Sequence, residues 1–221
     1  MIISKTLVSS KYAVTAAHCL RVTPASNTAL VVGEHNIKTG SDTNYTAVYL
    51  VKRFVEHPSY SNITSLNDIG LVETTNTILY SRAVAPVCLP FYYTSADFAG
   101  TVVTATGWGS TSFGGPSSDV LLKVNLDVLS NSNTKCTTSY PSIAASQMCT
   151  YTADKDTCQF DSGGPLFYRG PTDAKLFLVA LVSAGDGCGS TSPALNSRAT
   201  SFVSWIESVI GTGVLCRRAL A

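Results

Sequence analysis

Short runs rich in β-branched and aromatic residues recur along this chain, and turn-forming clusters interrupt them before a long helix can develop. Ala29 to Val32, Ala47 to Phe54, Ile69 to Glu73, Thr101 to Thr106, Leu121 to Val128 and Lys175 to Ser183 read as strands. Breaks such as Phe113-Gly114-Gly115-Pro116 separate them. Helical periodicity is rare. The exception is Ser201 to Ile210, where Phe202, Trp205, Ile206, Val209 and Ile210 share one face and Gly211 follows as a stop. The pattern predicts an all-β sandwich or barrel braced by one terminal helix. The 221 residues suit one large domain or two small ones with a sizeable core.

Charge excludes several function classes. Only 13% of residues are charged and the formal net charge is +1, so no basic surplus points to nucleic acid or an anionic membrane. No run approaches a membrane-spanning helix, and no repeat of fixed period occurs. The seven cysteines lie far apart, without the close Cys and His spacings of a zinc site, which favours disulfides in an oxidising compartment. The triplets Asn44-Tyr45-Thr46 and Asn62-Ile63-Thr64 are glycosylation acceptor patterns consistent with secretion. Met1 to Lys5 nevertheless has none of the features of a signal peptide, so the expectation is a precursor shortened at its start.

Three stretches carry the chemistry: Thr15-Ala16-Ala17-His18-Cys19, Asn67-Asp68-Ile69-Gly70-Leu71 and Asp161-Ser162-Gly163-Gly164-Pro165. A serine hydroxyl is a poor nucleophile until a neighbouring imidazole removes its proton during attack on a carbonyl. A carboxylate must hold that imidazole in the right tautomer and stabilise its positive charge. Ser162, His18 and Asp68 are the residue types required.

The order His, Asp, Ser and the surrounding strings resemble the chymotrypsin family of trypsin-like serine proteases over essentially residues 1 to 210; residues 211–221 form a tail to which no function is assigned. The resemblance implies two packed six-stranded antiparallel β-barrels, the first lacking its N-terminal strand, with the C-terminal helix docked on them. It implies a serine endopeptidase working through an acyl-enzyme, with His18, Asp68 and Ser162 as catalytic triad. The Phe160 and Ser162 amides would form the oxyanion hole. Asp156 matches the pocket-floor carboxylate that selects Arg or Lys. Ser183, Gly185 and Ala194 match the pocket walls, with Ser183 also bonding Asp68. Ala184 replaces a tryptophan and Ala194 a glycine of that pattern, which puts the strength of the preference in question. Asp161 matches the carboxylate that pairs with a new terminal ammonium after zymogen cleavage. Without that cation, the chain as it stands is expected to be weakly active or inactive.

The family's disulfides imply Cys136 with Cys149 and Cys158 with Cys188. A further family pair is lost at both of its positions, Val103 and Tyr168. Cys19 and Cys88 match cysteines whose partners lie upstream in relatives, and a Cys88 to Cys216 bridge is an open alternative. No cofactor or metal is implied, since a loop around Glu34 to Asn44 has too few carboxylates for the family's calcium site. Implied partners are protein substrates, protease inhibitors and an upstream pro-region or accessory domain, with no nucleic acid and no membrane. The implied location is extracellular, and the strings around His18 and Ser162 resemble insect venom and haemolymph proteases.

Phe160 departs most from the family, which has glycine there. If the donor peptide needs φ above zero, strain costs roughly 1–3 kcal/mol. If the peptide flips, the lost donor costs roughly 2.7–4 kcal/mol of transition-state stabilisation. Keeping the donor is cheaper, and the ring then projects towards the leaving-group side. Two rival readings stand beside the protease: a catalytically silent homologue acting as a binding or regulatory module, and a truncated inactive fragment.

Overall fold

The computed structural model describes residues 4–170, 175–185, 187–189 and 191–217. Expectations that fall on Met1 to Ile3 or on Arg218 to Ala221 lie outside those residues.

The first half of the chain forms strands β1 (Thr6–Leu7), β2 (Tyr12–Thr15), β3 (Ala29–Val32), β4 (Ala47–Glu56) and β5 (Gly70–Thr74). They make an open five-stranded sheet in the order β1-β2-β5-β4-β3. The second half supplies β6 (Val102–Gly107), β7 (Leu122–Leu129), β8 (Gln147–Thr150), β9 (Pro165–Arg169), β10 (Leu176–Ala184) and β11 (Ala194–Arg198). These six close into an antiparallel barrel in the order β10-β11-β8-β7-β6-β9. The expected depleted first barrel is therefore an open sheet among the described residues, with β1 pairing only β2 and β3 pairing only β4. The second barrel is complete.

Alternation of side chains explains β6, where Val103, Ala105 and Gly107 turn inward and their neighbours outward. β5 is buried at all five positions because it is central in its sheet and lies against the second half. Val14, Ile69 and Leu71 pack there with Leu178 and Leu181 of β10. The same cluster takes in Phe202, with Val203 and Ile206 of the terminal helix α2 (Val203–Ile210), preceded by a 3-10 turn at Ala199–Phe202; the short helix α1 (Thr134–Ser139) lies elsewhere. At roughly 1.5–3 kcal/mol for each large apolar side chain, this shared cluster is what docks the halves.

Disulfides Cys136–Cys149 and Cys158–Cys188 form as expected, and Cys88 bonds Cys216 across 128 residues of chain. Cys19 is a buried free thiol. Where the family pair is missing, Val103 is fully buried and the Tyr168 ring packs against Phe98 and Tyr93 at 5.1 and 5.9 Å.

Candidate active site

Each half contributes residues to one hydrogen-bonded cluster. His18 opens a 3-10 turn directly after β2, and Asp68 stands just before β5, the strand that pairs β2. The pairing brings them together: Asp68 Oδ2 accepts from His18 Nδ1 at 2.7 Å, and Oδ1 accepts from the His18 backbone N–H at 2.9 Å. The second half completes the carboxylate's partners. Ser183 Oγ of β10 donates to Asp68 Oδ2 at 2.6 Å, and Ser197 Oγ of β11 donates to the Asp68 backbone carbonyl at 2.7 Å.

Electrostatics follow from this packing. Burial works against charge on Asp68, but the His18 hydrogen bond and charge, with help from Ser183, hold its carboxyl below the usual carboxylate range. Burial likewise opposes a charged His18, yet its bonds to Asp68 and Cys19 and the nearby Asp68 charge hold the imidazole well above its ordinary value. His18 Nε2 lies 3.3 Å from Cys19 Sγ, and among the described residues no hydrogen bond joins it to Ser162. The sequence offered no sign of that thiol contact.

Ser162 follows a tight turn in which the Asp161 N–H bonds Cys158 O at 3.0 Å. Phe160 sits at the third position of this turn with φ +75, where a type II turn ordinarily has glycine. The strained alternative foreseen for Phe160 is thus the one adopted. Among the described residues neither the Phe160 nor the Ser162 N–H bonds a protein acceptor, so both remain available to a ligand. Gly163, at φ +76, lets the turn press against β2: a Cβ there would fall 2.1 Å from Thr15 Oγ1, 3.0 Å from Ala16 N and 3.2 Å from Cys19 Sγ.

The cleft beside Ser162 has a volume of about 260 Å³, and Ser183, Gly185 and Ala194 line it with Thr157, Val182 and Phe113. Asp156 does not. It lines an adjoining cavity, also about 260 Å³, that contains Asp161 and shares Thr157, Cys158 and Cys188 with the cleft. Burial, despite backbone hydrogen bonds from Thr157 and Gly189 and reinforced by the Asp161 charge, pushes the Asp156 carboxyl up to about 6. Asp161 accepts from Gly109 N at 2.9 Å and Cys158 N at 3.0 Å, and burial raises its carboxyl despite those bonds. No group of three or more His, Cys, Asp or Glu able to hold a metal occurs among the described residues.

A family model described as Trypsin matches residues 4–206. The chain is 37% identical over 212 residues to "Venom serine protease 34" of Apis mellifera, aligning 94% of this chain with 52% of that protein. It is 38% identical over 217 residues to "Venom serine protease" of Polistes dominula, aligning 96% of this chain with 77% of that one. To "Proclotting enzyme" of Tachypleus tridentatus it is 32% identical over 213 residues, 90% of this chain and 56% of that protein. The chain thus spans about half the length of two of these relatives and three quarters of the third.

Proposed function

Because this chain belongs to the trypsin family of serine endopeptidases, we propose that it hydrolyses protein substrates after Arg or Lys through an acyl-enzyme on Ser162. The observation that carries the mechanism is the Asp68 carboxylate of the first half, hydrogen-bonded at once to His18 Nδ1 and to Ser183 of the second. That bond presents His18 Nε2 as the base.

Ser162 Oγ attacks the scissile carbonyl carbon while Nε2 takes the hydroxyl proton. The carbonyl oxygen becomes an oxyanion held by the Phe160 and Ser162 N–H groups. Collapse breaks the C–N bond as His18 returns its proton to the leaving amine. Water, deprotonated by His18, then attacks the ester and releases the acid and Ser162. This sequence requires Nε2 to exchange its contact with Cys19 for one with Ser162, a tightening common when a site receives substrate.

Selection of Arg or Lys rests on Asp156, a carboxylate raised to about 6 by burial and with no cation among the groups that shift it. A substrate cation reaching it through the shared Thr157 and Cys158 wall relieves that cost. Asp161, half-buried and held among the described residues by backbone donors alone, is the group we assign to an activating terminal ammonium. Three disulfides fit an extracellular enzyme, with inhibitors and an upstream pro-region or accessory domain as further partners.

The test is labelling with an arginyl phosphonate followed by peptide mapping. Modification at Ser162 that an Asp156→Asn variant resists supports the reading. An unlabelled, correctly processed protein leaves the silent homologue in its place.

A further inference from the structure

All three residues of the Asn62-Ile63-Thr64 acceptor triplet stand in solvent at the tip of one loop. Ile63 is 90% exposed, the most of any large apolar side chain among the described residues, so the tip projects clear of the fold. Thr64 is held through its backbone N–H, which bonds Ser61 Oγ at 3.3 Å. Among the described residues neither the Asn62 amide nor the Thr64 hydroxyl has a protein partner, so a group added at Asn62 displaces no contact. The Asn44-Tyr45-Thr46 triplet is drawn further in: Thr46 is half-buried and its Oγ1 donates to Gly33 O at 3.2 Å.

The loop is rooted beside the His18 and Asp68 pair. His57 N bonds Ile69 O at 3.1 Å and closes its base, one residue from Asp68. Asn67 Nδ2 donates across the loop to Ser59 O at 2.9 Å, and the Ser61 and Leu66 bridge closes the tip. On the outgoing leg the Tyr60 ring lies under Arg21, whose Cζ is 4.8 Å from the ring centroid, in the turn that His18 opens. Bridged antiparallel residues stand about 4.5–5.5 Å apart and a chain advances at most about 3.6 Å per residue, so Asn62 Cα lies within roughly 17 Å of Asp68 Cα.

We propose that Asn62 carries an N-linked glycan that screens the His18 side of the site from folded proteins while leaving short peptides free to enter. This rests on the extracellular protease reading above. In the attachment, Asn62 Nδ2 displaces the lipid pyrophosphate of a lipid-linked oligosaccharide at the anomeric carbon: the C–N bond forms, the C–O bond to phosphate breaks, and Nδ2 gives up one proton. The sugar is bulky and solvated. A standard protein–protein contact covers about 800 Å² per partner, a disc of roughly 16 Å radius, so a folded protein centred on the site reaches Asn62. A short peptide covers the cleft alone. The sugar therefore slows encounter with large partners and leaves the chemistry untouched.

The experiment uses processed protease secreted from a eukaryotic host and titrated at Ser162, so that misfolded molecules do not enter the rates. Peptide mapping after N-glycosidase digestion in heavy-oxygen water reads occupancy at Asn62. Three proteins are then compared: the parent, Thr64→Ala, and the parent stripped of sugar while folded, which keeps the chain unchanged. Each is assayed on a short arginyl amide and for association with a folded protein inhibitor of trypsin-like enzymes. An occupied Asn62, equal kcat/KM on the amide and roughly tenfold faster inhibitor association without the sugar are expected. An unmodified Asn62 in the secreted parent overturns the proposal. Hydrolysis of the amide with equal association rates overturns the screening alone, whereas no hydrolysis by any of the three overturns the protease reading and takes the screening with it.

Discussion

Ser183 Oγ donates to the Asp68 oxygen that also accepts from His18 Nδ1, at 2.6 and 2.7 Å respectively. One oxygen thus serves a partner from each half of the molecule. Removing the hydroxyl leaves His18 Nδ1 as the remaining partner of that oxygen and forfeits a hydrogen bond to a charged group, at about 1.5–3 kcal/mol. Ser183→Ala is expected to lower kcat by roughly tenfold or more, with Ser183→Thr recovering part of the loss in steady-state amide hydrolysis.

Activity is expected to rise with pH around the His18 titration. The imidazole is held above its ordinary value of about 6.5 by Asp68 and Cys19, against the effect of burial. The base works only when neutral, so kcat/KM should fall as pH drops through a midpoint above that ordinary value. Asp68→Asn removes the carboxylate's charge and should bring the midpoint down. A pH profile of kcat/KM for both proteins checks the direction.

Asp156 lends pH dependence to stability as well. Its carboxyl sits at about 6 in the fold, above the unfolded value of about 3.9. Between those values the folded state binds more protons than the unfolded one, so stability declines as pH rises through the window and stays reduced above it. Asp156→Asn is expected to unfold at higher temperature than the parent above about pH 6, with the difference shrinking towards about pH 4. Calorimetry across that range reads the sign.

Phe160→Gly removes the penalty of a side chain at φ +75. Offset by the added freedom of glycine in the unfolded chain, the net gain is expected to be about 1 kcal/mol. That corresponds to a rise in Tm of about 2–4 °C for a chain of this size.

The Cys88–Cys216 disulfide closes the longest loop of the three, at 128 residues. Removing both sulfurs should cost about 2–4 kcal/mol, chiefly by releasing the unfolded chain. Denaturant unfolding of a Cys88→Ser, Cys216→Ser double variant measures it, and the double change avoids adding a second free thiol to that of Cys19.

Strands with one wet face, or with a run of apolar β-branched residues, were legible in the sequence, and β3 spans Ala29–Val32 as read. β11 was not. All five of its residues are buried, and Asn196, Ser197 and Arg198 owe that burial to bonds with Thr150, Asp68 and Gln147 that exist only after folding. β8 fails for the same reason, being buried throughout. At the site, local strings pointed to His18, Asp68 and Ser162, and the structure pairs the first two. The Cys19 contact, the place of Phe113 in the cleft and the Ser197 bond to Asp68 depend on tertiary approach, and no periodicity announces them. Asp156 was read by position as the floor of the cleft beside Ser162, whereas it lines the neighbouring cavity and accepts from the Thr157 N–H.

The difference between a closed barrel and an open sheet has a consequence in time. Every barrel strand has a neighbour on each side, so its amide hydrogens reach water only when a strand pair separates. Among the described residues β3 has a neighbour on one side alone, and the outward-facing Val31, beside Val48 and Leu50 of β4, is already wet. Deuterium should therefore enter the β3 edge within the first moments of exchange and the β10 and β11 ladder last. His18 and Asp68 would then ride on the faster-breathing half while Ser162 stays on the slower one, so thermal fluctuation of the outer sheet is able to misalign the proton path while the barrel remains intact.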